Sequence, residues 1–106
     1  MTSEEKAKLI AKAMDDKKAL NIEILNVGEQ TSIADKFVLC SCTSGTQVKA
    51  CADNVEEQVK EAGEDVHHIE GYAGGNWILL DFGDVIAHVM TEESREFYNI
   101  ERLYNI

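Results

Sequence analysis

The stretch Trp77-Ile-Leu-Leu-Asp81-Phe82-Gly83-Asp84-Val-Ile-Ala-His88-Val-Met90 constrains this chain more than any other. Two apolar runs meet at a glycine, the pattern of a tight β-hairpin. Taking Phe82-Gly83 as the two-residue loop sets Asp81 against Asp84, Leu80 against Val85, Leu79 against Ile86, Ile78 against Ala87 and Trp77 against His88. Side chains alternate across a strand. One face then carries Ile78, Leu80, Val85, Ala87 and Val89, all apolar and suited to lie beneath helices. The other carries Trp77, Leu79, Asp81, Asp84, Ile86, His88 and Met90, a mixed surface suited to meet something outside the domain.

The rest of the chain supplies the layers around that hairpin. Thr2 and Glu5 have capping-box spacing, and Leu9, Ile10, Ala13 and Met14 recur at helical intervals, which predicts a helix from Thr2 to about Ala19. Ile22 to Val27 and Ile33 to Cys42 read as strands, the second centred on Phe37-Val-Leu-Cys40. Ser44 and Gln47 open a second helix over about Thr46 to Ala62, with Val48, Cys51 or Ala52, Val55 and Val59 inward and Gly63 to stop it. Asp65 to Glu70 is a further strand, and Gly71 to Gly75 a flexible connection. Thr91 caps a short helix with Glu92 and Glu93 in its first turn, and the chain closes on Phe97, Tyr98, Ile100, Leu103 and Tyr104. The order α-β-β-α-β-β-β-α predicts a mixed sheet in one α/β (α+β) domain spanning 1–106. The helices lie on one face and leave the other available.

Charge narrows the function classes. The chain carries a net charge of −10, with twenty acidic against ten basic residues. The first twenty residues are nearly balanced, so the excess falls almost wholly on the remainder. A basic footprint for a nucleic-acid backbone is missing, which disfavours direct nucleic-acid contact. A basic protein is the better partner. No apolar run has the roughly 20 residues of a membrane span. With no secretory or transit character at the N-terminus, a cytoplasmic location is expected. Cys40, Cys42 and Cys51 are odd in number and lack zinc-finger spacing, so they read as buried structural thiols and no metal is expected there.

Three places could carry chemistry. Cys42-Thr43-Ser44-Gly45 joins a strand to a helix N-terminus, but it lacks the P-loop and dinucleotide fingerprints, and a plain N-cap is the simpler reading. Asp81, Asp84 and His88 suggest a metal-dependent transferase, yet the two acids flank a turn and no third carboxylate accompanies them. His67 and His68 are neighbours on a strand and point to opposite faces, one exposed and one partly packed. Catalytic residues and cofactors are therefore not expected. Opposed carboxylates beside a tryptophan are mutually unfavourable unless a basic partner covers them, and an aromatic anchor ringed by charge is the composition of a binding hot spot.

The hairpin, followed by Arg95-Glu-Phe97-Tyr98-x-x-Glu101-x-Leu103-Tyr104, closely resembles the Iojap or ribosomal silencing factor family. Ser32-Ile-Ala34-Asp35-x-Phe37-Val38, Thr43-Ser44, Ala52-Asp53-Asn54-Val55 and Glu70-Gly71 match in the same order. The resemblance implies a nucleotidyltransferase-like topology without the catalytic carboxylates, and no enzymatic activity. It further implies binding to the large ribosomal subunit through ribosomal protein L-fourteen. That binding would block subunit association and repress translation under nutrient limitation, with a homodimer off the ribosome and a bacterial rather than organellar setting. On that reading Trp77, Leu79, Asp81, Phe82, Asp84, His88 and Met90 form the partner-binding face. The alternative is a nucleotidyltransferase-like metal-dependent enzyme using Ser44, Asp81 and Asp84. The family's usual Asn-Arg after Thr-Ser is replaced here by Gly45-Thr46, and a frequent aromatic by Lys36.

Overall fold

The structure is a computed structural model that describes residues 1–104. Helix α1 (Ser3–Asp16) is followed by strands β1 (Leu20–Asn26) and β2 (Lys36–Cys42), helix α2 (Gly45–Glu61), strands β3 (His68–Glu70), β4 (Trp77–Asp81) and β5 (Val85–Thr91), and helices α3 (Glu92–Tyr98) and α4 (Ile100–Leu103). The five strands form one mixed sheet in the order β1-β2-β5-β4-β3, parallel only where β2 meets β5.

Local chemistry explains the helix boundaries. The Thr2 hydroxyl accepts from the Glu5 amide while the Glu5 carboxylate accepts from the Thr2 amide, the reciprocal capping box. α1 ends earlier than expected because Lys18 takes a left-handed backbone with φ 62°. α2 starts at the Ser44 cap and stops at Gly63, whose φ of 92° lets the Gly63 and Glu64 amides reach back to the Lys60 and Val59 carbonyls. Gln47 does not close the second half of a capping box. Its side-chain oxygen accepts from Thr43, and its amide group donates to the Lys17 and Lys18 carbonyls, tying the two helices together.

The two central strands are buried on both faces. On one face α1 and α2 cover Val38, Cys40, Cys42, Ile78, Leu80, Val85, Ala87 and Val89 with Ile10, Met14, Val48, Val55 and Val59. On the other, Phe37, Leu39, Ile86 and Met90 form a second, smaller cluster with Val27, Ala34 and Ile100. The second face is therefore not left open: the C-terminal helices cross it. Asn99, with φ 28°, breaks the helix so that α4 turns back and buries Ile100.

The hairpin loop is Gly83-Asp84 rather than Phe82-Gly83. Phe82 donates to the Val85 carbonyl at 2.9 Å, and Gly83 takes φ 91°. Glycine first is what a type II′ turn requires. The pairs become Trp77–Met90, Ile78–Val89, Leu79–His88, Leu80–Ala87 and Asp81–Ile86. Moving the loop by one residue shifts the pairing by two, so the expected faces survive while the facing partners change. Asp81 and Asp84 are not opposed. Asp81 caps the turn by accepting from the Gly83 amide at 2.8 Å, and Asp84 turns toward α1.

There it meets Lys6, a lysine on the buried stripe of α1. The Lys6 ammonium lies 2.7 Å from the Asp84 carboxylate, 3.2 Å from the Phe82 carbonyl and 3.8 Å from Glu64. Removing one partner strands a buried charge. Asp84→Ala is expected to lower unfolding free energy by about 2–3 kcal/mol in urea titrations followed by Trp77 fluorescence, whereas a loss under about 0.5 kcal/mol would mark the pair as an ordinary surface bridge.

Candidate interaction surface

Trp77 sits half-buried where β4 begins, and it organises a file of aromatic rings running from the second cluster to solvent. Tyr104 stacks edge-on to Phe37 at 5.1 Å, Phe37 meets His88 at 4.7 Å, and His88 meets Trp77 at 5.9 Å. Trp77 then meets Tyr98, and Tyr98 meets Phe97, each at 4.9 Å between ring centroids. Exposure rises from Phe37 outward. Phe37 is buried, Tyr98 is 45 % exposed and Phe97 81 %. Leu103, 70 % exposed, extends the same ridge.

Two features hold the ridge in place. Arg95 donates to the Glu23 carboxylate at 2.7 Å, to the Ser41 hydroxyl at 3.2 Å and to the Asn21 carbonyl, which fastens α3 to β1 and β2. Gly71, at φ 80°, passes so close to β4 that an added Cβ would lie 2.1 Å from the Trp77 carbonyl oxygen. Only glycine permits that approach. Beside it, Glu70, Gly71, Trp77 and Leu79 line a shallow depression.

The expected face residues divide into three groups. Trp77, Leu79 and Asp81 remain partly accessible. His88 and Met90 point to the expected face but are buried, Met90 in the cluster with Ile100 and His88 between Phe37 and Trp77, so neither can touch a partner directly. Phe82 and Asp84 are corrections. Phe82 is only 2 % exposed and belongs to the main core under the helices, because the loop starts one residue later than expected. Asp84 is held by Lys6 on the opposite side of the sheet. β3 adds His68 and Glu70, opposite Asp81 and Leu79 and joined by a 2.9 Å contact. His67 and His68 are both exposed, against the expectation that one would pack. The ridge residues Phe97, Tyr98 and Leu103 lie outside the expected face; their signal in the sequence is a short amphipathic helix with more apolar surface than its inner side can use.

The Trp77 indole N–H donates to His88 Nδ1 at 3.1 Å, which places the ring proton on Nε2. Nε2 has no partner among the described residues. Burial depresses the His88 pKa to about 4. Among the described residues the only group of three or more His, Cys, Asp or Glu placed to share an ion is Cys40, Cys42 and Cys51; Asp81, Asp84 and His88 do not converge.

Residues 1–106 match the family described as ribosomal silencing factor during starvation. The chain belongs to the ribosomal silencing factor family. It is 38% identical over 104 residues to the ribosomal silencing factor RsfS of Halalkalibacterium halodurans, covering 98% of this chain and 89% of that protein. A crystal structure from Chromobacterium violaceum superposes with a TM-score of 0.96 at 38% identity, covering 99% of this chain and 88% of the other. The chloroplastic protein Iojap of Zea mays is 31% identical over 100 residues, 90% of this chain and 41% of its own length. Among the described residues, no helix of this chain is long and apolar enough to cross a membrane.

The buried imidazole makes the aromatic file pH-sensitive. Its folded pKa of about 4 lies below the ordinary 6.5, so the unfolded chain takes up the proton first as pH falls. The contribution is complete above pH 6.5 and is lost between 6.5 and about 4, on the order of 3 kcal/mol in all. In urea titrations at stepped pH, His88→Leu is expected to lack this part of the acid slope whatever its stability at pH 7.

Proposed function

We propose that this chain binds the large ribosomal subunit through the ridge formed by Trp77, Leu79, Tyr98, Phe97 and Leu103. The partner is the basic protein L-fourteen on the surface that the small subunit would occupy. Occupying that surface blocks subunit association and lowers translation when nutrients are short, in the bacterial cytoplasm.

The observation that carries this reading is the exposed aromatic ridge. An aromatic side chain that is 81 % exposed, continuous with a half-buried tryptophan, is unusual on a surface with no contact to make. Hot spots are built from such anchors with polar groups around them. The rim here is acidic: Glu93 and Glu96 border Phe97, and Glu70 borders Trp77. Arg95 does not offset them, being engaged with Glu23. Against a net charge of −10, phosphate contacts are repelled and a lysine- or arginine-rich protein surface is attracted. Family membership supports the ribosome as the setting. On this reading the chain is a binding protein, not an enzyme, since Asp81 and Asp84 serve the turn and Lys6. Off the ribosome the same ridge is the surface for a homodimer.

Sedimentation with isolated large and small subunits tests this directly. The wild type is expected to travel with large subunits only. Trp77→Ala and Phe97→Ala are each expected to weaken that binding about 30-fold, a loss of about 2 kcal/mol. Raising salt should weaken it further. Unchanged binding in both folded variants, or association with small subunits instead, would overturn the assignment.

A further inference from the structure

Three cysteines that the sequence separates are brought to one point by the fold. Cys40 and Cys42, two apart on β2, both face the helices, and Cys51 on α2 packs down onto them. Their three sulfurs lie within 4.8 Å of one another, with Cys40 and Cys51 at 3.9 Å. All three are free thiols and all are buried. We propose that Cys40, Cys42 and Cys51 form a three-sulfur site for a thiophilic monovalent d¹⁰ cation, of which Cu(I) is the chemical type.

The geometry argues for three-coordination. Three sulfurs at about 2.3 Å around one ion stand about 4.0 Å apart, so the observed triangle needs only a small contraction. Soft thiolates select Cu(I) over harder divalent ions. Structural zinc takes four ligands. No histidine or carboxylate among the described residues joins these three sulfurs as a fourth. Cys42 forms part of the wall of a cavity of about 380 Å³ at the carboxyl ends of β2 and β5, with Thr43, Asn76, Thr91, Glu92 and Glu93. There the connection from β2 goes to one face of the sheet and that from β5 to the other, and a crevice opens between them. The two glutamates at its mouth raise the local concentration of cations.

Loading exchanges protons for the ion: each thiol that becomes a thiolate ligand releases one proton, with no change of oxidation state. Affinity therefore rises with pH.

Anaerobic competition between the protein and a coloured Cu(I) chelator tests the site. The expected result is one Cu(I) per chain, tighter binding at pH 8 than at pH 6, and three sulfur neighbours at about 2.3 Å by X-ray absorption. Cys42→Ser and Cys51→Ser, with native circular dichroism verified, are each expected to lose more than about 100-fold in affinity, beyond the cost of removing an outer-shell partner. Failure of the wild type to take Cu(I) from the chelator overturns the site. So does an ion with two or four sulfurs, a preference for Zn²⁺, or undiminished binding in both variants. None of these readouts depends on ribosome binding.

Discussion

One buried ammonium connects most of this fold. Lys6 occupies a position on α1 where the helical pattern calls for an apolar residue, and its stem lies in the main core while its charge reaches the β4–β5 turn. The Asp84 carboxylate and the Phe82 carbonyl both receive it. The same turn docks onto the sheet's other strand pair, because the Asp84 carbonyl accepts from the Asp35 and Lys36 amides where β2 begins. Helix, turn and central strand are thus held at one point, and a change at Asp84 acts on all three.

With that point secured, the sheet's two faces take different tasks. The helix face is a continuous apolar core. The opposite face is closed only over its middle, by Ile100 and Tyr104, and remains accessible along the β3–β4 edge. The aromatic file links the two regimes: Phe37 and His88 are core, Trp77 lies at the boundary, and Tyr98 and Phe97 are surface. A partner pressing on Phe97 therefore presses on a ring stack anchored in the second cluster. Arg95 makes the platform rigid by joining α3 to strands more than fifty residues earlier. The thiol cluster lies beneath α2 on the other face, so a ligand there and a partner on the ridge would be separated by the sheet.

Much of this was readable along the chain. Capping at Thr2, Ser44 and Thr91, the stop at Gly63 and the alternating faces of β4 and β5 are local or period-two properties, and the residues state them directly. The hairpin faces were right even though its loop was displaced by one residue, because a shift of two in pairing leaves alternation untouched. What the hairpin pattern missed, it missed for one reason. Turn residues leave the alternation, so Asp84 and Phe82 could not be placed by counting, and the partner that holds Asp84 is 78 residues away.

Sequence by itself determined the element order, the apolar face, the acidic character and the family, because these depend on neighbours within a few residues or on motifs in sequence. Tertiary structure alone decided which face residues stay accessible, since Met90 is buried with Ile100 where α4 folds back and His88 between Phe37 and Trp77. It also decided that three cysteines without metal-site spacing converge, since a strand and the helix after it meet at a packing angle that no spacing encodes. The hairpin surface became a narrower and better defined ridge: Trp77, Leu79 and Asp81 remain on it, while Phe82 and Asp84 belong to the interior that supports it.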